Sequence, residues 1–166
     1  MNKKTRQATV AISGVVALTL LSAFAHAHSD GNPDTHKLNT NIEQAATAAL
    51  SSVNGTIIEA ELELDDNYAV WEIEIVDESN KVVNVEVDGY TGQILSTESS
   101  DDVAPNISKV VSLNQAIDIV RAVDNGALIE MELEHNDDQL IWEIETIGDD
   151  SEESDYRINA VTGEFL

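Results

Sequence analysis

Glutamates supply most of the chemistry this chain can offer, and they recur at every second position. Glu59, Glu61 and Glu63 alternate with Ala60, Leu62 and Leu64; Glu72 and Glu74 alternate with Trp71, Ile73 and Ile75; Glu86 and Asp88 alternate with Val85 and Val87. A second series repeats the pattern with Glu130, Glu132 and Glu134, then Glu143 and Glu145, then Asp155 beside Arg157. Period-two alternation places one residue type on one face of a strand. The carboxylates should therefore line the outer faces of sheets and oppose one another across strands, where each like-charged pair costs up to about 1 kcal/mol. Three uses account for such a face: a solvated, solubilising surface; a docking surface for a basic partner or a loose divalent-cation face; and edge-on pairing of an open sheet with a partner's strand.

Other chemistries fit the residues less well. Carboxylate pairs doing acid–base work need environments that split their pKa values, and an open face supplies no apolar pocket for that. No His-Glu-x-x-His helix, G-x-S-x-G turn or phosphate-cradling glycine loop is present, so the chain reads as a non-enzyme without a cofactor. Asp65-Asp66-Asn67 and Asp149-Asp150 with Glu152-Glu153 have the composition of calcium-binding runs but lack the glycine and terminal glutamate at EF-hand spacing. They read as acidic hairpin turns. His135 stands in the register of Leu64, as a rim or satisfied core residue. Cleavage after Ala25 would expose His26-Ala27-His28, a square-planar nitrogen site for Cu(II) or Ni(II); the alternative is a histidine with no role in a tail.

The 166 residues carry 32 acids against 8 bases, a formal charge of −24, and no cysteine. Such a charge repels phosphate backbones and anionic headgroups, which excludes nucleic acid and charge-driven membrane adhesion. Without cysteine there is no disulfide framework, zinc ribbon or thiol nucleophile. With 42% apolar but only 4% aromatic residues, one or two small domains fit.

Residues 1–27 read as a secretory signal peptide: Lys3, Lys4 and Arg6 precede an apolar run from Ala8 to Phe24, then small residues Ala23, Ala25 and Ala27. The expected location is periplasmic or secreted. Residues 28–39 have turn-forming composition and read as a disordered tail. Beyond them the chain repeats itself with a shift of 71 residues, which superposes Gly55 on Gly126, IEAELE (58–63) on IEMELE (129–134), Trp71 on Trp142 and Thr91-Gly92 on Thr162-Gly163. Two units, 40–95 and 111–166, flank a polar, acidic segment, 96–110, interrupted by Pro105 and read as a linker.

Each unit changes period once. Ile42, Ala45, Ala46, Ala49, Leu50 and Val53 recur at helical spacing behind a Thr40/Glu43 capping box, and Leu113, Ala116, Ile117, Val120 and Val123 behind Ser112/Gln115. Both helices should stop near a glycine. Three alternating strands follow, with Ile58 placed inward and turns at 65–67 and 77–80. The fold class is α+β: two repeated units, each an N-terminal helix packed on a three-stranded antiparallel sheet. Trp71 should pack near Ala46, Ala49 and Leu50, and Trp142 near Ile117 and Val120.

The order of these elements resembles the PepSY domain, through Gly55, Glu61, Trp71, Glu72, Val87, Asp88, Thr91, Gly92, Ile94 and Leu95. The second copy departs from the pattern, with Asn159 for Asp88 and Phe165 for Ile94. The resemblance implies an α+β module found in propeptides of secreted metallopeptidases and in stand-alone exported proteins, where it binds and restrains a peptidase or another extracytoplasmic protein. The expected function is therefore an exported, non-enzymatic binding module, with the acidic face as partner surface. The alternative is an acidic, cation-buffering or structural envelope protein without a dedicated protein target.

Overall fold

Residues 38–65, 68–104, 107, 109–136 and 139–166 are described in the computed structural model of the chain. The signal segment, the His26–His28 site and most of the tail lie outside them. Helix α1 (Ile42–Ser52) buries Ile42, Ala45, Ala46 and Ala49, the stripe its spacing dictates. Its capping box is made by Asn41 and Gln44, one residue later than expected. The sheet explains the shift: Thr40 donates its N–H to the Gly89 carbonyl and accepts the Trp71 indole N–H at 3.0 Å, so the helix opens one residue on. Asn39, expected in the tail, is tied down with it through the Gly89 and Tyr90 carbonyls. Leu50 falls one step past the stripe and is 38% exposed, so it does not belong to the core as expected. Helix α2 (Leu113–Arg121) has the expected Ser112/Gln115 box and buries Leu113, Ala116, Ile117 and Val120. Val123 lies beyond its end and is 62% exposed.

Four strands follow α1: β1 (Gly55–Asp65), β2 (Tyr68–Asp77), β3 (Lys81–Asp88) and β4 (Ile94–Val103); β5 (Ala127–Asn136), β6 (Gln139–Ile147) and β7 (Glu153–Asn159) follow α2. All seven form one antiparallel sheet in the order β4-β3-β2-β1-β5-β6-β7. Two expectations are thereby corrected. Most of β4 comes from the segment read as a linker: its largely polar sequence pairs with the β3 edge through the backbone, without the apolar alternation that marks the other strands. And the two units share a sheet, through a short β1–β5 seam of three register pairs, Glu59↔Glu132, Ala60↔Met131 and Glu61↔Glu130.

That seam carries the repeat's symmetry. Ala60 and Met131 are equivalent under the 71-residue shift, as are Glu59 with Glu130 and Glu61 with Glu132, so the units meet about a local two-fold axis at the Ala60/Met131 pair. Part of the β1 edge is thereby paired with the chain's own second copy. One core runs across the seam beneath both helices, with Ala60, Met131, Trp71 and Trp142 all buried in it. Trp142 repeats the Trp71 anchor by donating to the Val111 carbonyl at 3.0 Å, and an Arg121–Glu43 ion pair of 2.8 Å links α2 to α1. Each unit has a bulge at the same place, Ile57/Glu59 and Leu128/Glu130. The first sends Ile57 into the main core and Ile58, expected there, into a small separate cluster with Val76, Val82 and Ala104. Gly92 and Gly163 turn the chain after β3 and β7 at φ +70° and +74°, a region open to glycine at no steric cost.

Candidate functional site

The strand registers assemble the alternating glutamates into two rows that cross the whole sheet. In the first, Glu86, Glu72, Glu61, Glu130, Glu145 and Asp155 stand side by side on six adjacent strands, with Ser96 on β4 at the end. In the second, Glu98, Asn84, Glu74, Glu59, Glu132, Glu143 and Arg157 occupy all seven. Neighbours in a row are one strand spacing apart, about 4.8 Å. The glutamates of both rows on the five inner strands are half-buried, not free in solvent.

This crowding changes their acidity. Burial first, and facing carboxylates second, push Glu59 up to about 8 and Glu72 and Glu130 up to about 7. The same causes hold Glu61, Glu132, Glu134 and Glu145 above the ordinary carboxylate range. Glu59 is the extreme because it is the most deeply buried of them, and Glu74, Glu132, Glu61 and Glu130 around it add to the rise. Arg157 relieves one end, pairing with Glu143 at 2.7 Å. Asn84 Oδ1 is buried without a hydrogen-bond partner, so the face is short of donors.

The remaining expected site residues divide. Glu63 and Glu134 stand beyond the rows, opposite Val70 and Ile141, and Glu63 accepts the Tyr68 hydroxyl at 2.6 Å. Asp88, expected on the partner face, serves its own turn instead: its Oδ1 accepts the Tyr90 and Thr91 N–H groups and the Thr91 hydroxyl. Burial alone would raise its carboxyl, but these hydrogen bonds together hold it below the ordinary range. Asn159 makes the same turn with the Val161 and Thr162 N–H groups, so its departure from aspartate leaves the fold intact. His135 is exposed, opposite Leu140.

The rows are linear, and no group of three or more His, Asp or Glu converges on a metal position among the described residues. Two open clefts, of about 460 and 400 Å³, flank the helices and contain none of the row carboxylates. The Asp149-Asp150 run forms the expected hairpin turn, in which Asp150 Oδ1 accepts the Glu152 N–H. A polar cluster went unread in the sequence: Asp124 accepts the Thr146 and Tyr156 hydroxyls at 2.6 and 3.0 Å and the Gly126 N–H at 2.8 Å. The signal was available, since these three side chains replace Val53, Ile75 and Val85 of the first unit.

Comparison with known proteins agrees with the repeat. The family described as "Peptidase propeptide and YPEB domain", PepSY, matches residues 41–98 and 110–166. The chain is similar to the uncharacterized protein YkoJ of Bacillus subtilis (strain 168), 27% identical over 149 residues that cover 87% of this chain and 84% of YkoJ. Among solved structures it is similar to a chain of Clostridium difficile 630 classed as a lipoprotein, 21% identical, TM-score 0.46, covering 82% of this chain and 97% of that one. It is also similar to the YpeB C-terminal domain of Bacillus megaterium, 20% identical, TM-score 0.34, covering 82% and 67%. No described helix is long and apolar enough to cross a membrane. With two family matches spanning the two halves of one sheet, the chain belongs to the PepSY family.

Proposed function

We propose that this PepSY protein is an exported, non-enzymatic binding module that holds a basic segment of another extracytoplasmic protein, such as a peptidase, on its carboxylate face and so restrains it. The observation that carries the reading is the two-row arrangement over the four central strands, where eight glutamates stand two by four: Glu72, Glu61, Glu130 and Glu145 beside Glu74, Glu59, Glu132 and Glu143. A row offers one carboxylate per strand, about 4.8 Å apart, and a helix lying across the strands offers one residue per turn, about 5.4 Å apart. The fitting partner is a cationic helix. Contact should be limited to about three turns, because the sheet twists by about 20–25° per strand. Cations would also replace the protons held by the crowded carboxyls, so binding at neutral pH should release protons.

Pull-down from an envelope extract at low and high salt tests the reading. A defined basic protein should be retained at low salt, released at high salt, and lost when Glu61, Glu72, Glu130 and Glu145 are all changed to Gln. Nothing reproducible in the pull-down, or equal capture by the Gln variant, would end the proposal. Calcium binding by calorimetry, saturable and with no protein captured, would favour the cation-buffering alternative.

A further inference from the structure

The β1–β5 seam differs from every other strand pairing in this sheet. It has three register pairs, while the other pairings have six to ten. Two of those three pairs set glutamate against glutamate, Glu59 against Glu132 and Glu61 against Glu130. We propose that this seam is a pH-labile joint: the two units stay joined in one sheet while Glu59, Glu61, Glu130 and Glu132 share protons, and part along β1–β5, baring the core they share there, when all four ionise.

The residues facing these four groups on the neighbouring strands are acidic as well. From β2, Glu74 and Glu72 face Glu59 and Glu61. From β6, Glu145 and Glu143 face Glu130 and Glu132. Along their own strands the next outer residues are Glu63 and Glu134. The cation on this face among the described residues of β5–β7 is Arg157, two strands from the seam and engaged with Glu143. Protonation is thus a local route to neutrality, and burial and the facing carboxylates, which hold all four carboxyls above the ordinary range, agree with it. The sign follows from linkage. Joined, the seam holds protons that an open seam releases, so rising pH favours opening.

Opening would bare the facing edges of β1 and β5, and unpaired edges accept other strands. The joint therefore converts pH into exposure of two strand edges related by the local axis. It does not depend on whether the face binds a basic helix.

Hydrogen exchange of the intact chain tests the joint. Between about pH 6 and about pH 9, protection of amides bonded across 59–61 and 130–132 should fall relative to the β2–β3 amides, by about tenfold for each pKa unit relieved on opening. Changing the equivalent pair, Glu59→Gln with Glu130→Gln, should make seam protection flat with pH, while Asp155→Asn, away from the seam, should leave the dependence in place. Small-angle scattering of the unaltered chain, which needs no variant, should show the radius growing over the same pH range while β2–β3 stays protected. The proposal is overturned if seam and β2–β3 amides lose protection together, if the Gln pair keeps the pH dependence, or if the radius is constant.

Discussion

Three equivalent positions separate the interiors of the two units: Val53, Ile75 and Val85 in the first, Asp124, Thr146 and Tyr156 in the second. The backbone around them is the same, down to the bulges, the tryptophan anchors and the glycine turns. One unit fills the space with methyl groups. The other fills it with a carboxylate whose Thr146 hydroxyl bond, Gly126 N–H and Tyr156 hydroxyl hold it below the ordinary range against the effect of burial. The outer faces contrast too, since Arg157 of the second unit stands where Glu86 does in the first. The comparison teaches that the fold requires shape at these sites and tolerates either chemistry, provided that a buried polar group is fully paired.

The largest effect should be common to both units. Trp71→Ala or Trp142→Ala empties the centre of a half-core and removes a hydrogen bond to Thr40 or Val111, at a cost of about 3–5 kcal/mol. Denaturant unfolding measures it, and equal losses are expected because the sites are equivalent; an unchanged midpoint for either would mean that its face is misassigned. Next in size comes the polar cluster. Asp124→Ala leaves the Thr146 hydroxyl, on a residue 1% exposed, without its short bond, which should cost about 1–3 kcal/mol. Adding Thr146→Val and Tyr156→Phe should recover most of that loss, since apolar groups of matching shape can replace a paired set almost neutrally. If the triple variant is no better than the single one, the two units do not solve the same packing problem.

Much of this molecule was legible before its structure. The 71-residue repeat, the Ser112 cap and the alternating glutamates follow from local periodicity, which the structure keeps. What was hidden depends on backbone pairing between segments distant in sequence. β4 has no apolar alternation to announce it, and Ala60 and Met131 look like ordinary inward residues although they mark the axis of the seam. Ile57 and Ile58 are adjacent and both apolar, so only the bulge decides which one enters the main core. Asp88 has the alternation of a face residue, yet the Tyr90 and Thr91 N–H groups claim its carboxylate.

The charge contrast gives opposite pH responses. Glu59, Glu72 and Glu130 have folded pKa values above their unfolded ones, so the folded chain binds more protons between about 4.5 and their raised values of about 8, 7 and 7. Their contribution is present below that window and is lost as pH rises through it, so melting temperature should climb from about pH 8 to about pH 5. Glu59→Gln should raise melting temperature at about pH 8 more than at about pH 5. Asp124 and Asp88 act in reverse: their folded values lie below 3.8, and what they contribute is lost as pH falls through those values. Added salt should also stabilise a chain of formal charge −24, because screening shortens to about 8 Å at 0.15 M. Melting temperatures that are flat across low salt, matched NaCl, CaCl₂ and acid pH would remove the acidic-face argument. A CaCl₂ effect well beyond matched NaCl would favour a cation site.

The smallest effect lies where the local symmetry is broken between the helices. Arg121 and Glu43 form an ion pair at 2.8 Å, and the positions equivalent to them are Leu50 and Asn114. The Arg121 and Glu43 side chains are 46% and 33% exposed, so Arg121→Ala should cost about 0.2–1 kcal/mol and less in high salt. Leu50→Arg with Asn114→Glu would build the missing mate across the axis, and a double-mutant cycle should give it a coupling of the same size. A coupling near zero for the new pair, with the old one intact, would show that the two helices approach differently on the two sides, and that the local two-fold relation of the sheet does not extend to the helix layer above it.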